Sequence, residues 1–108
     1  MQYRLLGRSG TVVSNLALGT MTFGTETDEA TSHAQLHRYL DAGGNLVDTA
    51  NVYSGGVSEE IIGNWLATNA GMRSRVVLAS KGRFPLRDGV NDLGLSRRHL
   101  ALCEHERR

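Results

Sequence analysis

The chain has 108 residues, 40% of them apolar and 21% charged, with a formal net charge of +1. That suffices for one small globular domain, and it gives no charge-driven pull toward nucleic acid or an anionic membrane. No apolar run approaches the roughly 18 residues that a membrane-spanning helix needs, Met1–Leu5 lacks a signal-peptide core, and a lone cysteine, Cys103, excludes an intrachain disulfide, so the expected compartment is the cytoplasm.

Tyr3–Leu6 and Thr11–Val13 are β-prone runs around Gly7-Arg8-Ser9-Gly10, which reads as a hairpin. Leu16-Ala17-Leu18 reads as a short apolar strand ending in Gly19-Thr20-Met21. Thr27-Asp28-Glu29 then carries a helix start, with Thr27 as the expected cap and two carboxylates at the positive end of the dipole. The helix is expected to run to Asp41, where Gly43 and Gly44 stop it.

A buried strand, Asn45–Asp48, follows and opens into a polar loop that carries Tyr53. Ser54-Gly55-Gly56 is a turn, and Ser58 is the expected cap of a second helix. Ile61, Ile62, Trp65 and Leu66 repeat at helical spacing and form its apolar face. Asn69 and Gly71 end it, and Val76–Ser80 is the next strand, leading to Lys81, the single lysine beside eleven arginines. Gly82–Gly94 is a loop, and Ser96–Leu100 is a third helix start. Strands alternating with helices predict parallel pairing with right-handed crossovers.

Two parallel neighbours ending at Asp48 and near Lys81 bring a carboxylate and an ammonium to the same end of the sheet, with the Tyr53 phenol in reach. In a parallel α/β barrel, chemistry gathers at the C-terminal ends of the strands. The trio reads either as a proton-delivery device or as an ordinary ion pair beside a surface tyrosine. Gly-x-Gly-x-x-Gly and the Gly-Lys-Ser/Thr phosphate loop are absent, which argues against a Rossmann or P-loop nucleotide site. His33 and His37 lie one helical turn apart but lack a third ligand, so they read as solvated helix histidines rather than a metal pair. Cys103 reads as incidental.

Three stretches carry a family resemblance: Leu16–Gly24, Asp41–Tyr53 with Ser58–Gly63, and Val76–Lys81. Over roughly residues 1–100 the chain resembles an aldo-keto reductase, in the branch related to bacterial potassium-channel β-subunit-like proteins. The resemblance implies the first three βα units of a (β/α)8 TIM barrel closed at its base by the hairpin. The chain would be one partial domain, an incomplete barrel, with 101–108 a divergent tail. It implies reduction of an aldehyde or ketone by NADPH bound without a Rossmann motif. Tyr53 would be the general acid, Lys81 the cation that tunes it, and Asp48 the carboxylate that holds Lys81. Gly19, Thr20 and Met21 would line the nicotinamide–ribose region, which Asp48 would also touch. The family's further catalytic histidine, at the end of the fourth strand, has no counterpart in His99 or His105. The rival expectation is a truncated, non-catalytic remnant or binding module. The expected partner is a small carbonyl substrate, with neither nucleic acid nor membrane, and open sheet edges would favour self-association.

Overall fold

The computed structural model describes residues 1–106. It contains five strands and three helices in chain order: β1 (Tyr3–Leu5), β2 (Val12–Ser14), β3 (Leu18–Gly19), α1 (Glu29–Asp41), β4 (Leu46–Asp48), α2 (Val57–Thr68), β5 (Val77–Ala79) and α3 (Arg97–Glu106). Strands β1 and β2 form an antiparallel hairpin, and β3, β4 and β5 form a parallel sheet in that order. The expected hairpin and the alternating parallel architecture are both present.

The core lies between one face of the parallel sheet and the helices. Phe23, Leu36, Val47, Ile61, Ile62, Trp65 and Val76 form its buried cluster, with Leu18 and Leu78 packed against it. Leu18, Val47 and Leu78 are row partners across the three strands, so they share the helix-facing side. The alternate row, Gly19, Asp48 and Ala79, therefore faces the other way. No residue of that row is buried, and it borders the functional site.

The two crossover helices meet along a polar and aromatic seam. Trp65 Nε1 donates to His37 Nε2 at 3.2 Å, and the two rings meet edge to face. His33 Nε2 lies 2.9 Å from the Ile61 carbonyl, and Asn64 donates to Glu29. His37 is exposed and His33 half-buried, in keeping with solvated helix histidines, but the helical spacing that aligns them also turns both toward α2, where each finds a partner. Among the described residues no group of His, Cys, Asp or Glu could hold a metal ion, and no helix is long and apolar enough to cross a membrane.

The hairpin docks where β4 begins. Ser14 donates its amide to Asn45 Oδ1, Asn45 Nδ2 donates to the Val12 carbonyl, and the Tyr3 hydroxyl donates to the Gly43 carbonyl. Tyr39 joins this end together. Its oxygen accepts the Leu46 amide at 3.0 Å and lies 2.7 Å from the Leu16 carbonyl and 2.9 Å from Ser14 Oγ. Gly44 permits this, because a Cβ there would fall 2.1 Å from the Tyr39 ring.

Several boundaries differ from expectation for local reasons. Leu16 and Ala17 lie outside β3, because the Leu16 carbonyl is taken by Tyr39 and by Ser14 Oγ rather than by a strand. Asp28, not Thr27, caps α1: its side chain accepts the Thr31 amide at 2.8 Å, and that bond holds its carboxyl below the ordinary carboxylate range. Ser58 does not cap α2, which begins at Val57 after Gly56 without a side-chain cap. The stretch expected as a divergent tail is helical through Glu106, while Arg107 and Arg108 lie outside the described residues. Cys103 is buried rather than incidental: Asn51 Nδ2 donates to its sulfur at 3.2 Å, and His99 Nε2 is 3.5 Å away.

Removing the Tyr39 hydroxyl strands the Leu46 amide at a half-buried position. Tyr39→Phe is expected to lower unfolding free energy by about 1–3 kcal/mol with unchanged far-ultraviolet circular dichroism, as measured by urea denaturation.

Candidate active site

The register of the parallel sheet sets the geometry. Gly19 and Asp48 are row partners, and so are Asp48 and Ala79. The ladder runs on past the strand ends: the Thr49 amide donates to Ala79, and the Asn51 amide donates to Lys81. Lys81 lies two positions beyond Ala79, so its side chain shares the face of Ala79 and Asp48. All of these groups emerge at the C-terminal ends of the strands.

Lys81 is the hub. Its Nζ donates to Asp48 Oδ1 at 2.9 Å and to Oδ2 at 2.7 Å, to the Thr49 carbonyl at 3.0 Å, and to the Tyr53 oxygen at 3.3 Å. The ammonium also lies 5.1 Å from the centroid of the Tyr53 ring. The sequence-predicted trio is thus brought together. The carboxylate hydrogen bond raises the Lys81 pKa above the ordinary lysine value; partial desolvation opposes this, and the Tyr53 oxygen adds to it. Lys81 is therefore a cation throughout the neutral range.

An ammonium has protons to give and no lone pair to offer. The Tyr53 oxygen accepts from it, so the phenol's own proton must point elsewhere, toward whatever approaches the site. That arrangement suits proton donation.

The expected cofactor-side residues line the adjoining strand end. Gly19 closes β3 and has no heavy atom within 4 Å of where a Cβ would stand. Met21 is 64% exposed. Thr20 is fully buried, and both its amide and its hydroxyl donate to the Asp48 carbonyl at 3.1 Å. Gly19 and Met21 therefore offer open surface beside Asp48, whereas the Thr20 side chain acts as an internal brace.

Beneath the trio is a buried hydroxyl network that the sequence reading missed. Ser58 Oγ lies 2.9 Å from the Thr20 carbonyl, 3.0 Å from Thr20 Oγ1 and 3.1 Å from Thr49 Oγ1. One set of proton positions satisfies it: Thr20 donates to the Asp48 carbonyl, Ser58 to the Thr20 carbonyl, and Thr49 to Ser58. The network ties the first turn of α2 to the ends of β3 and β4. A signal was present, since Ser58 shares the helical face of Ile61, Ile62 and Trp65, where a polar group must find an internal partner.

The geometry accords with what the chain resembles. A sequence model of the aldo/keto reductase family matches residues 15–105. An uncharacterized oxidoreductase, YrpG, of Bacillus subtilis (strain 168) is 46% identical over 112 aligned residues, covering 93% of this chain and 34% of the relative. Protein tas of Escherichia coli (strain K12) is 42% identical, covering 88% of this chain and 29% of its own length. A probable voltage-gated potassium channel subunit beta of Oryza sativa subsp. japonica is 45% identical, covering 93% and 30%. The chain spans about a third of the length of these curated relatives.

Because lysine occurs once, its side-chain nitrogen gives a single NMR signal. That signal is expected to titrate above the ordinary value of about 10.4, and Asp48→Asn should bring it down. The sign for stability follows. The pair contributes fully below the ordinary lysine pKa, and the contribution is lost as pH rises through the raised folded value. With the Lys81 and Asp48 side chains 47% and 39% exposed, it should amount to only about 0–1 kcal/mol. A Lys81 midpoint at or below the ordinary value would contradict the geometry.

Proposed function

The chain belongs to the aldo/keto reductase family, and on that premise we propose that its site serves NADPH-dependent reduction of an aldehyde or ketone to an alcohol. The observation that carries the proposal is the Lys81 ammonium, held by the Asp48 carboxylate and the Thr49 carbonyl while donating to the Tyr53 oxygen. In this reading the three βα units are part of a (β/α)8 barrel, and the open face of the sheet bearing Asp48 and Ala79 is turned to the barrel interior.

Tyr53 is the general acid. Its phenol proton passes to the carbonyl oxygen of the substrate as negative charge develops there. Lys81 lies against the oxygen left behind and stabilises the phenolate without itself changing protonation state. Asp48 offsets the ammonium charge and fixes its direction. The Gly19–Met21 segment and Asp48 would hold the nicotinamide end of the cofactor; the open space over Gly19 and the exposed Met21 fit a planar ring laid across the strand end. NADPH, when bound, supplies the hydride for the carbonyl carbon. The absence of a glycine-rich phosphate loop from the sequence fits a cofactor held by other means than a Rossmann turn.

The outer edges of β3 and β5 have no partner strand among the described residues. Such edges pair readily with other chains, and self-association through them is part of the proposal. Sedimentation of the purified chain reads it directly: a monodisperse monomer would remove it.

The chemical test is NADPH oxidation by the purified chain with an aromatic aldehyde. Tyr53→Phe should lower turnover by about 10²–10⁴-fold with cofactor affinity retained, and Lys81→Met should lower it strongly as well. Turnover near the parent's in Tyr53→Phe would rule out Tyr53 as the acid. Cofactor binding with no turnover in the parent chain would favour a binding module.

A further inference from the structure

Resting on the reading of Tyr53 as the proton donor, we infer that Ser54 is a positioning residue: its hydroxyl clasps the Phe23 carbonyl and thereby holds Tyr53 against Lys81. Ser54 has φ 53° and ψ 37°, and among the described residues it is the one non-glycine residue with positive φ. Gly55 and Gly56, which follow, are also left-handed, at φ 63° and 101°. Glycine would adopt this conformation more easily, because it has no Cβ to clash with the backbone. A serine there needs a compensating interaction, and it has one: Oγ donates to the Phe23 carbonyl at 2.6 Å. Strained residues that persist beside a reactive group are held by their surroundings.

The anchor is firm. Phe23 is fully buried in the core, and its amide donates to the Thr20 carbonyl. Tyr53 has tethers of its own, its amide on the Ala50 carbonyl at 3.2 Å, its carbonyl accepting the Val57 amide, and its phenol oxygen at Lys81, but none of them reaches the turn on the cofactor side. The approach of the two loops depends on Gly24, where a Cβ would stand 2.6 Å from Val57 Cγ1 and 3.4 Å from Ser54 Cβ. The clasp thus ties the loop that carries the acid to the turn that begins at Thr20 and Met21, on the cofactor side of the site.

The test uses the chain with Ser54→Gly, which keeps the backbone conformation and loses the hydroxyl, and Ser54→Ala, which also retains the Cβ. Two readouts report on position rather than on folding: nuclear Overhauser contacts between the Tyr53 ring and the Lys81 methylenes, and the titration midpoint of the single lysine. Both variants should lose the contacts. Both should lower the Lys81 midpoint as far as Tyr53→Phe does, and adding Ser54→Gly to Tyr53→Phe should lower it no further. Parental contacts and midpoint in both variants would overturn the inference, and so would a further drop in the double variant. Unfolding of both would also overturn it, because the clasp would then belong to the fold rather than to Tyr53. Neither readout needs cofactor or turnover. An inactive parent chain in which Ser54→Gly still frees Tyr53 from Lys81 would sink the reduction chemistry and leave the clasp standing.

Discussion

Parallel pairing of β3, β4 and β5 is the constraint on which the rest depends. It aligns Gly19, Asp48 and Ala79 in one row and brings Lys81 out above that row on the same face. Side chains alternate along a strand, so a slip of one residue would turn the Asp48 carboxylate into the helix-facing core and expose Val47 in its place. The apolar demand of that core therefore also fixes the polar site. Val47 is completely buried among Leu36, Ile61 and Trp65, and this burial specifies the register.

Around this row the protein divides its polar work between two depths. At the surface, Lys81 and Asp48 form a pair accessible to solvent, where charge can respond to an incoming group. One layer below, Thr20, Ser58 and Thr49 are buried and satisfied by one another. Buried hydroxyls without partners would be costly; joined as they are, they lock the start of α2 to the strand ends. The Thr49 carbonyl connects the two depths, since it accepts from Lys81 while the Thr49 hydroxyl faces Ser58. The base of the sheet is held separately, by Tyr39 and the hairpin, so the two ends of β4 are secured by different chemistry.

Much of this was legible in the sequence. Apolar periodicity identified α1, α2 and the three parallel strands, and the placement of Asp48 and Lys81 after apolar runs marked one sheet end. The misreadings share a cause. Ser58 was assigned as a cap because serine before two glutamates resembles a helix start, but the chain had already turned helical at Val57. Thr27 lost the cap position to Asp28 for the same kind of local reason: its own carbonyl accepts from Gly24. For His33, His37 and Cys103 the sequence offered only neighbours one helical turn away, Glu29 for His33 and His99 for Cys103, and gave no sign of their further partners. Those further partners lie in α2 and in the loop after β4, many residues away.

The sequence by itself determined the element order, the apolar faces, the family and the identity of the three groups at the sheet end. These follow from local periodicity and from motifs that a single stretch of chain carries. Only the tertiary structure decided which polar side chains are internal braces and which are open to a ligand. Thr20 and Met21 are neighbours in sequence, yet one is fully buried against Asp48 and the other is largely exposed. It also decided that Ser54 is left-handed and bonded to Phe23, a contact between residues 31 positions apart. The physical reason is that a hydrogen bond is worth little until both partners have been withdrawn from water, and that withdrawal is set by the packing of elements distant in the chain.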